Sequence, residues 1–112
     1  MQPLIAETTL LYEDPHGERR PLRLHLRSPR ELDDGTWACD CHAEGLLESE
    51  REIIGEDSFQ ALCLATRFLR VFLTGLEEHG ARFYADMEAE APLAVSLCFG
   101  ISSGPVSETP QE

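Results

Sequence analysis

Residues 55–80 read GEDSFQALCLATRFLRVFLTGLEEHG, and this stretch decides the fold because it predicts one long amphipathic helix. Asp57 can accept hydrogen bonds from the free N–H groups of a first helical turn. Gln60, three residues later, can reach back to complete a capping box. At the other end, Gly80 stands where a left-handed residue would end the helix. We therefore predict a helix over about residues 58–79.

Apolar side chains recur in this segment with the period of a helix, so they share one face. Polar side chains fill the opposite side. The segment should therefore pack its apolar face against another layer of structure. The apolar face comprises Ala61, Leu62, Ala65, Phe68, Leu69, Phe72, Leu73 and Leu76, and the polar side comprises Gln60, Cys63, Arg67, Arg70, Thr74, Glu77 and Glu78.

Three segments before the helix alternate between apolar and polar residues. This period of two predicts strands over residues 4–12, 20–28 and 36–44, each with one buried face and one wet face. The wet faces should carry mixed charge, worth only about a few tenths of a kcal/mol per pair. The core faces of the second and third strands comprise Leu22, Leu24, Leu26, Trp37, Cys39, Cys41 and Ala43, and the wet faces comprise Arg23, His25, Arg27, Asp40, His42 and Glu44.

The register between the second and third strands has two solutions. If the strands pair antiparallel with their apolar sets on one face, Leu26 lies opposite either Trp37 or Cys39. The first register sets Arg23 opposite Asp40, and the second sets His25 there instead.

The remaining segments are shorter. A strand ending at Ile54 is predicted within residues 45–55. Alternation over residues 83–89 predicts a further strand with an acidic outer face, and the apolar run 93–99 favours a strand over a helix by its length. From Gly100 onward the composition is typical of a mobile tail.

These elements together predict an α+β fold. A helix of ~22 residues spans ~33 Å and a nine-residue strand spans ~30 Å, so one helix can cover one face of a sheet. We predict a two-layer sandwich, with an antiparallel sheet of about four to six strands and the helix packed on one face. The single domain should cover residues 1–99, and residues 100–112 should form a flexible C-terminal tail.

The chain has 112 residues, enough for one domain with one core. Its 9 Lys+Arg and 21 Asp+Glu give a formal net charge of −12. An acidic surface repels nucleic acid and anionic membranes and suits a basic protein partner. The N-terminus lacks the pattern of a signal peptide, and the apolar runs are too short to span a bilayer. We expect a cytoplasmic protein whose partner is neither nucleic acid nor a membrane.

Four cysteines, at positions 39, 41, 63 and 98, leave open a Cys-based metal site. Structural zinc sites favour Cys-x2-Cys spacing, whereas Cys39 and Cys41 flank one residue and point to the same face of a strand. His42 points away from both. This spacing favours two small buried side chains beneath the helix. We expect reduced thiols and predict no metal or cofactor.

A second alternative concerns the helix start. Residues 55–59 resemble the phosphopantetheine attachment signature of acyl carrier proteins, in which a serine after Asp opens an acidic helix. The resemblance implies Ser58 as the attachment point of the prosthetic group and an all-helical bundle as the fold. The strand patterns before the helix disagree with such a bundle, and helix capping by Asp57 and Ser58 accounts for the same residues.

The sequence predicts no catalytic residues. His16, His25, His42 and His79 are scattered, and no nucleophile is placed beside a base by spacing. No phosphate-binding loop or dinucleotide fingerprint is present. We therefore expect a non-catalytic protein that acts by binding another protein.

The predicted binding surface is acidic, so charge steering toward a basic partner would be its mechanism. A homodimer through the exposed edge of the first or last strand is a structural variant of this hypothesis. The candidate residues are Glu48, Glu50, Glu52, Asp86, Glu88 and Glu90.

Residues 37–39, 44–45 and 55–65 together resemble a set of small bacterial proteins classed as a domain of unknown function. The resemblance covers roughly residues 37–76 and lies in a Trp-x-Cys strand and a Gly-x-Asp-Ser-x-Gln-Ala-Leu helix start. It implies an α+β fold and brings no activity with it.

Overall fold

A six-stranded antiparallel sheet with a long helix against one face forms the body of the protein, which confirms the predicted fold class. The computed structural model describes residues 1–100, so residues 101–112 of the predicted tail lie outside the described residues. In chain order the elements are β1 (Leu4–Glu13), β2 (Arg19–Arg27), β3 (Arg30–Glu31), β4 (Trp37–Glu44), β5 (Arg51–Gly55), α1 (Ser58–Glu78), β6 (Arg82–Tyr84) and α2 (Val95–Cys98).

β4 pairs with three other strands of the sheet, β2, β3 and β5. Trp37 pairs with residues of both β5 and β3, and Cys41 pairs with residues of both β5 and β2. Because a strand has two edges, β5 must lie on one edge of β4 while β2 and β3 share the other. The sheet therefore runs from β5 through β4 to β2 with β3, then to β1 and finally to the short β6.

The register between β2 and β4 differs from both predicted solutions. Leu26 lies opposite Cys41, rather than opposite Trp37 or Cys39. The reason is that β3 resumes the pairing with β4 after β2 ends, so the chain turns later, at residues 32–36, where a 2.8 Å backbone hydrogen bond closes the turn. The apolar sets of the two strands still share one face, as predicted.

Both ends of α1 are capped at the predicted residues. The carboxylate of Asp57 accepts from the backbone N–H of Gln60 at 2.7 Å. The side-chain oxygen of Gln60 accepts from the N–H of Glu56 at 2.7 Å, one residue before the N–H that a capping box uses. Gly80 follows the helix with φ of 106°, a left-handed conformation that glycine adopts at little cost.

α1 packs its apolar face onto one face of the sheet, here called the inner face. The helix lies mainly over β4 and β5, where Cys39 and Cys41 are fully buried. By length and composition alone α1 could cross a membrane, a property that it shares with core helices of soluble proteins. Its buried residues are Ala61, Ala65, Leu69 and Leu73.

The strand predicted over residues 83–89 ends at Tyr84, so most of that prediction is wrong. The carboxylate of Asp86 accepts from the N–H groups of Glu88 and Ala89 at 2.9 Å each and closes a turn. Such local side-chain bonds compete with the pairing of a strand.

The strand favoured for residues 93–99 is also wrong, because this run contains the short helix α2. Only Leu93 bridges to a strand residue, Phe83. The first helical N–H, that of Val95, donates to the carboxylate of Glu77 on α1 at 3.1 Å, and Val95 itself is buried. The short strand predicted before α1 is confirmed as β5, which ends one residue later than expected.

Candidate functional site

Paired charges cover the outer face of the sheet, which is the face that points away from α1. Four arginines, one on β3 and three on β2, bind carboxylates of neighbouring strands and loops there. The mixed charge predicted for this face is thereby confirmed. The ion pairs are Arg19–Glu13, Arg23–Glu7, Arg23–Glu44, Arg27–Glu50, Arg30–Asp40 and Arg30–Glu52, and His25 adds a contact to Glu50.

Two of the six predicted binding residues belong to this network. Glu50 accepts from Nε of Arg27 through both oxygens, at 2.8 and 2.9 Å, and Glu52 pairs with Arg30. Burial opposes ionisation of Glu50, but hydrogen bonds from Arg27 and His25 outweigh it and hold the pKa of this carboxyl below its ordinary value. The charges of both glutamates are therefore compensated within the domain.

The other four predicted binding residues are exposed, and no ion pair within residues 1–100 includes them. Glu48 lies just before β5, whereas Asp86, Glu88 and Glu90 lie in the loop after β6, at the opposite edge of the sheet. With neighbouring strands ~4.8 Å apart, these edges are separated by ~19 Å. The six residues therefore form two regions rather than one surface.

The loop after β6, residues 85–92, is here called the acidic loop. At its centre Met87 is 65% exposed. The C=O of Met87 accepts from Arg19 at 3.5 Å, and the guanidinium of Arg19 lies 3.9 Å from the centroid of the Tyr84 ring. These contacts hold the acidic loop beside the outer face while Glu88, Glu90 and Met87 are exposed to solvent.

One side of β1 has an open edge. β1 pairs with β2 along its length, but with β6 only at residues 11–13. Among the described residues, no strand pairs with residues 4–10 on the β6 side, and residues 5–9 are exposed. A bulge at Ile5 interrupts the start of this stretch, so residues 6–10 form its regular part. An unpaired strand edge is a template for pairing with another strand.

Two histidines, which neither predicted register places opposite each other, are neighbours in the structure. His25 on β2 lies opposite His42 on β4, with ring centroids 5.3 Å apart and ring planes at 74°. Nε2 of His25 lies 3.4 Å from a carboxylate oxygen of Glu50. Nε2 of His42 lies 3.2 Å from the C=O of Leu47.

The wet environment expected for His25 is wrong, because its side chain is only 5% exposed. It lies on the outer face as predicted, but neighbouring side chains such as Glu50 and His42 contact it there. Nδ1 of His25 is buried and has no hydrogen-bond partner among the described residues. A buried polar atom without a partner is rare in folded proteins.

Glu44 completes a cluster with this histidine pair. It follows His42 by two residues, so both side chains lie on the same face of β4. One ring nitrogen of His25, one of His42 and one carboxylate oxygen of Glu44 all lie within 4.8 Å of one another. Arg23, two residues before His25, also pairs with Glu44, at 3.3 Å. His25, His42 and Glu44 are here called the His25–His42–Glu44 cluster.

The four cysteines are dispersed over the fold, and among the described residues they form no group of convergent metal ligands. Cys39 and Cys41 are buried beneath α1 as expected, Cys63 is exposed on α1, and Cys98 lies on α2. Burial raises the pKa of the Cys39 thiol and raises that of Cys41 to about 12. Both thiols are therefore protonated at neutral pH, which makes them poor nucleophiles and poor metal ligands.

Ser58 is the first residue of α1, and its side chain is exposed. The carrier resemblance implied an all-helical bundle, and that implication is wrong because the domain is built on six strands. Asp57, rather than Ser58, accepts the capping hydrogen bond.

An apolar groove of about 330 Å³ opens on the inner face, where α1 leaves the first half of β1 uncovered. Leu24 of β2, Leu69 of α1 and Phe99 after α2 are among the residues that line it. The groove offers mainly packing surface, because the side chains of Glu7 and His25, which also border it, are paired with Arg23 and Glu50 on the outer face.

The protein is a small α+β domain with one long helix on an antiparallel sheet and a network of paired charges on the other side of that sheet. The chain belongs to the family described as Domain of unknown function (DUF6968), whose model matches residues 6–93. The predicted resemblance to a small domain of unknown function is thereby confirmed. The comparisons with curated proteins and with solved structures gave no match.

Proposed function

We propose that this domain is a non-catalytic protein-binding module of the cytoplasm, which adds a strand of a basic partner protein to the open edge of β1. The observation that carries the proposal is the open edge itself. β6 pairs with only three residues of β1, so most of that strand has a free side within residues 1–100.

A partner strand would meet unpaired backbone groups along residues 6–10. In strand addition, main-chain hydrogen bonds supply affinity, and alternate side chains supply specificity. Natural sheet edges are commonly protected by Lys, Pro or several charges. Residues 6–10 read AETTL and carry one charge, that of Glu7. This composition supports a contact strand better than a protected edge.

The acidic loop supports the choice of a basic partner. β6 ends at Tyr84 opposite Leu11, so the loop leaves the sheet next to the open edge of β1. Glu88 and Glu90 are exposed there without a cation among the described residues, and Met87 adds an exposed apolar side chain. Basic side chains flanking a partner strand would be attracted to these carboxylates.

Glu48, Glu50 and Glu52 lie at the other edge of the sheet, and the proposed surface does not include them. The net charge of −12 supports a protein as the partner rather than nucleic acid or an anionic membrane. The free thiols of Cys39 and Cys41 support a reducing compartment such as the cytoplasm. Pairing of β1 with β1 of a second copy is the homodimeric variant of the same proposal.

Capture of partner proteins from a lysate of the source cells, at about 0.05 M and about 0.5 M salt, tests the proposal. Thr9→Lys places a charge on the exposed open edge and should abolish capture of the partner that the wild type retains. The double change Glu88→Gln and Glu90→Gln should weaken capture and reduce its salt dependence. Sedimentation equilibrium of the purified protein identifies the homodimeric variant.

Thr74→Lys, on the polar side of α1, is the matched control, because it makes the same substitution away from the edge. It should leave capture unchanged. A partner that is captured equally by Thr9→Lys and Thr74→Lys contradicts the role of the edge. A partner whose capture ignores salt and the glutamate changes contradicts the role of the acidic loop.

A further inference from the structure

We propose that His25, His42 and Glu44 form a binding site for a divalent transition-metal ion of the zinc type, on the outer face of the sheet. The ligand atoms of these three side chains already lie within 4.8 Å of one another. Two imidazoles and one carboxylate are a donor set that zinc and its neighbours in the first transition row accept. Magnesium and calcium prefer oxygen ligands alone. This inference is independent of the proposed binding of a partner to β1.

The hydrogen bonds of the two histidines determine which nitrogens carry lone pairs. Carboxylate and carbonyl oxygens only accept hydrogen bonds, so Nε2 of His25 must donate to Glu50, and Nε2 of His42 must donate to Leu47. In the neutral imidazole the other nitrogen is then unprotonated. Both histidines are therefore left with a lone pair on Nδ1, which is the form in which imidazole binds a metal.

The buried Nδ1 of His25 gives independent support. It has no hydrogen-bond partner among the described residues, in a side chain that is only 5% exposed. Leaving a buried acceptor unpaired is unfavourable, so native proteins rarely do it. Coordination of a cation would satisfy this lone pair.

Glu50 and Leu47 have the positions expected of residues that support metal-binding histidines. In known metal sites, the second ring nitrogen of a ligating histidine usually donates to a carboxylate or a backbone carbonyl, which fixes the ring orientation. His25 makes such a contact with Glu50 at 3.4 Å, and His42 makes one with the C=O of Leu47 at 3.2 Å. Glu50 is itself held by Arg27.

The geometry requires a small closure around the ion. Two ligands about 2.1 Å from a tetrahedral zinc ion lie about 3.4 Å apart, so the cluster must contract from its limit of 4.8 Å. Glu44 is the side chain that can move, because it is 54% exposed. Three protein ligands leave at least one position on the ion open to water or to another small ligand.

Arg23 competes with a metal ion for Glu44. It lies 3.3 Å from a Glu44 oxygen but only 2.6 Å from Glu7, so it retains a carboxylate partner when Glu44 turns to the ion. Arg27 is similarly neutralised by Glu50. The arginines near the cluster are therefore balanced by carboxylates, and no net positive charge repels a divalent cation.

Titration of chelator-treated, metal-free protein with Zn²⁺ tests the site, read by calorimetry and by the ring ¹⁵N signals of the histidines in NMR spectra. A single equivalent should shift the Nδ1 signals of His25 and His42 and leave those of His16 and His79 unchanged. His42→Gln and Glu44→Gln should each weaken binding about tenfold or more. Because Glu44 is more than half exposed, Glu44→Gln should retain the fold even if a histidine change does not.

His16→Gln and Cys63→Ser are the controls, since both residues are exposed and outside the cluster. They should leave zinc affinity unchanged. Unshifted ring signals of His25 and His42 at saturating Zn²⁺ would overturn the proposal. So would an affinity that survives His42→Gln and Glu44→Gln but falls in Cys63→Ser.

Arg23→Gln is the one variant that is expected to increase the affinity for zinc. It removes the competitor for Glu44, so zinc binding should become several-fold tighter, which a purely structural role of the cluster does not predict. Unchanged or weaker binding in this variant contradicts the assignment of Glu44 as a ligand.

Discussion

The inner and outer faces of the sheet are made by the same strands, but different interactions hold them. On the inner face, Leu22, Cys39 and Cys41 are completely buried beneath α1, and removal of apolar surface from water stabilises the contact. On the outer face, arginines and carboxylates pair across strands, and a buried histidine sits among them. Apolar packing requires only that the right residues share a face, whereas charge pairing requires the right register. The inner face therefore specifies the fold, and the outer face specifies candidate chemistry.

The largest effect on stability is expected from a charge on the inner face. Leu73 is fully buried, and Leu73→Asp should lower the free energy of unfolding by about 4 kcal/mol or more, because it buries an unpaired carboxylate. Chemical denaturation followed by circular dichroism measures the change. Val71→Asp on the same helix is the control: Val71 is 55% exposed, so the effect should stay within about 0.5 kcal/mol. Equal stability of the two variants would mean that α1 presents another face to the sheet.

A smaller loss of stability should follow from adding a methyl group at Gly55, where β5 closely approaches α1. A Cβ atom at Gly55 would lie 2.5 Å from the backbone nitrogen of Ala61, and backbone cannot move aside easily. Gly55→Ala should therefore cost about 1–3 kcal/mol. Gly75→Ala, in the last turn of α1 with open space around the added methyl group, should instead stabilise by up to about 1 kcal/mol. Thermal unfolding of both variants checks the opposite signs, and a destabilised Gly75→Ala would contradict the open space found beside that residue.

The outer face should respond to acid where the inner face does not. The lowered pKa of Glu50 means that its contribution is complete at neutral pH and is lost as the pH falls from about 4.5, its ordinary value, through the folded pKa. Glu50→Gln should reduce stability at pH 7 by about 1–3 kcal/mol, since Arg27 loses its charged partner. The variant should also lose part of the acid-induced decline in stability. Denaturation at a series of pH values checks both, and parallel pH profiles of variant and wild type would contradict the role of Glu50.

The smallest effect is expected at the exposed rim of the outer face. Arg23 is 40% exposed and its two ion pairs are accessible to salt, so Arg23→Gln should change stability by less than about 1 kcal/mol. The difference from wild type should shrink further at about 1 M salt. Urea denaturation at two salt concentrations measures it, and a larger loss that persists at high salt would show that Arg23 has a packing role.

The inner face could be predicted from the sequence because its signals are local. The period of α1, its cap at Asp57 and the alternation of β2 and β4 each depend on a few neighbouring residues. The last segments could not be predicted in the same way. At Asp86 a side chain closed a turn in an alternating stretch, and near Val95 the deciding partner, Glu77, lies on another element.

The candidate site on the outer face depended on register, and there the alternation allowed several solutions. Pairing of β3 with the start of β4 places the turn around Asp34. The register of β2 on β4 is thereby shifted by two residues from the nearer of the two predicted registers. The sequence Asp33-Asp34-Gly35 was a usable signal for that turn. A hairpin centred on Asp34 would have placed His25 near His42. Which carboxylates stay unpaired could not be predicted, because the pairs join arginines of β2 and β3 to carboxylates of three other strands and of the loop before β5.

The measurement that tests this account most directly is the set of cross-strand NOEs between backbone protons of β2 and β4 in labelled protein. The structure predicts NOEs between His25 and His42 and between Leu26 and Cys41. NOEs between His25 and Asp40 would instead report a register shifted by two residues. That result would separate the two histidines, remove the His25–His42–Glu44 cluster and contradict the account of the outer face.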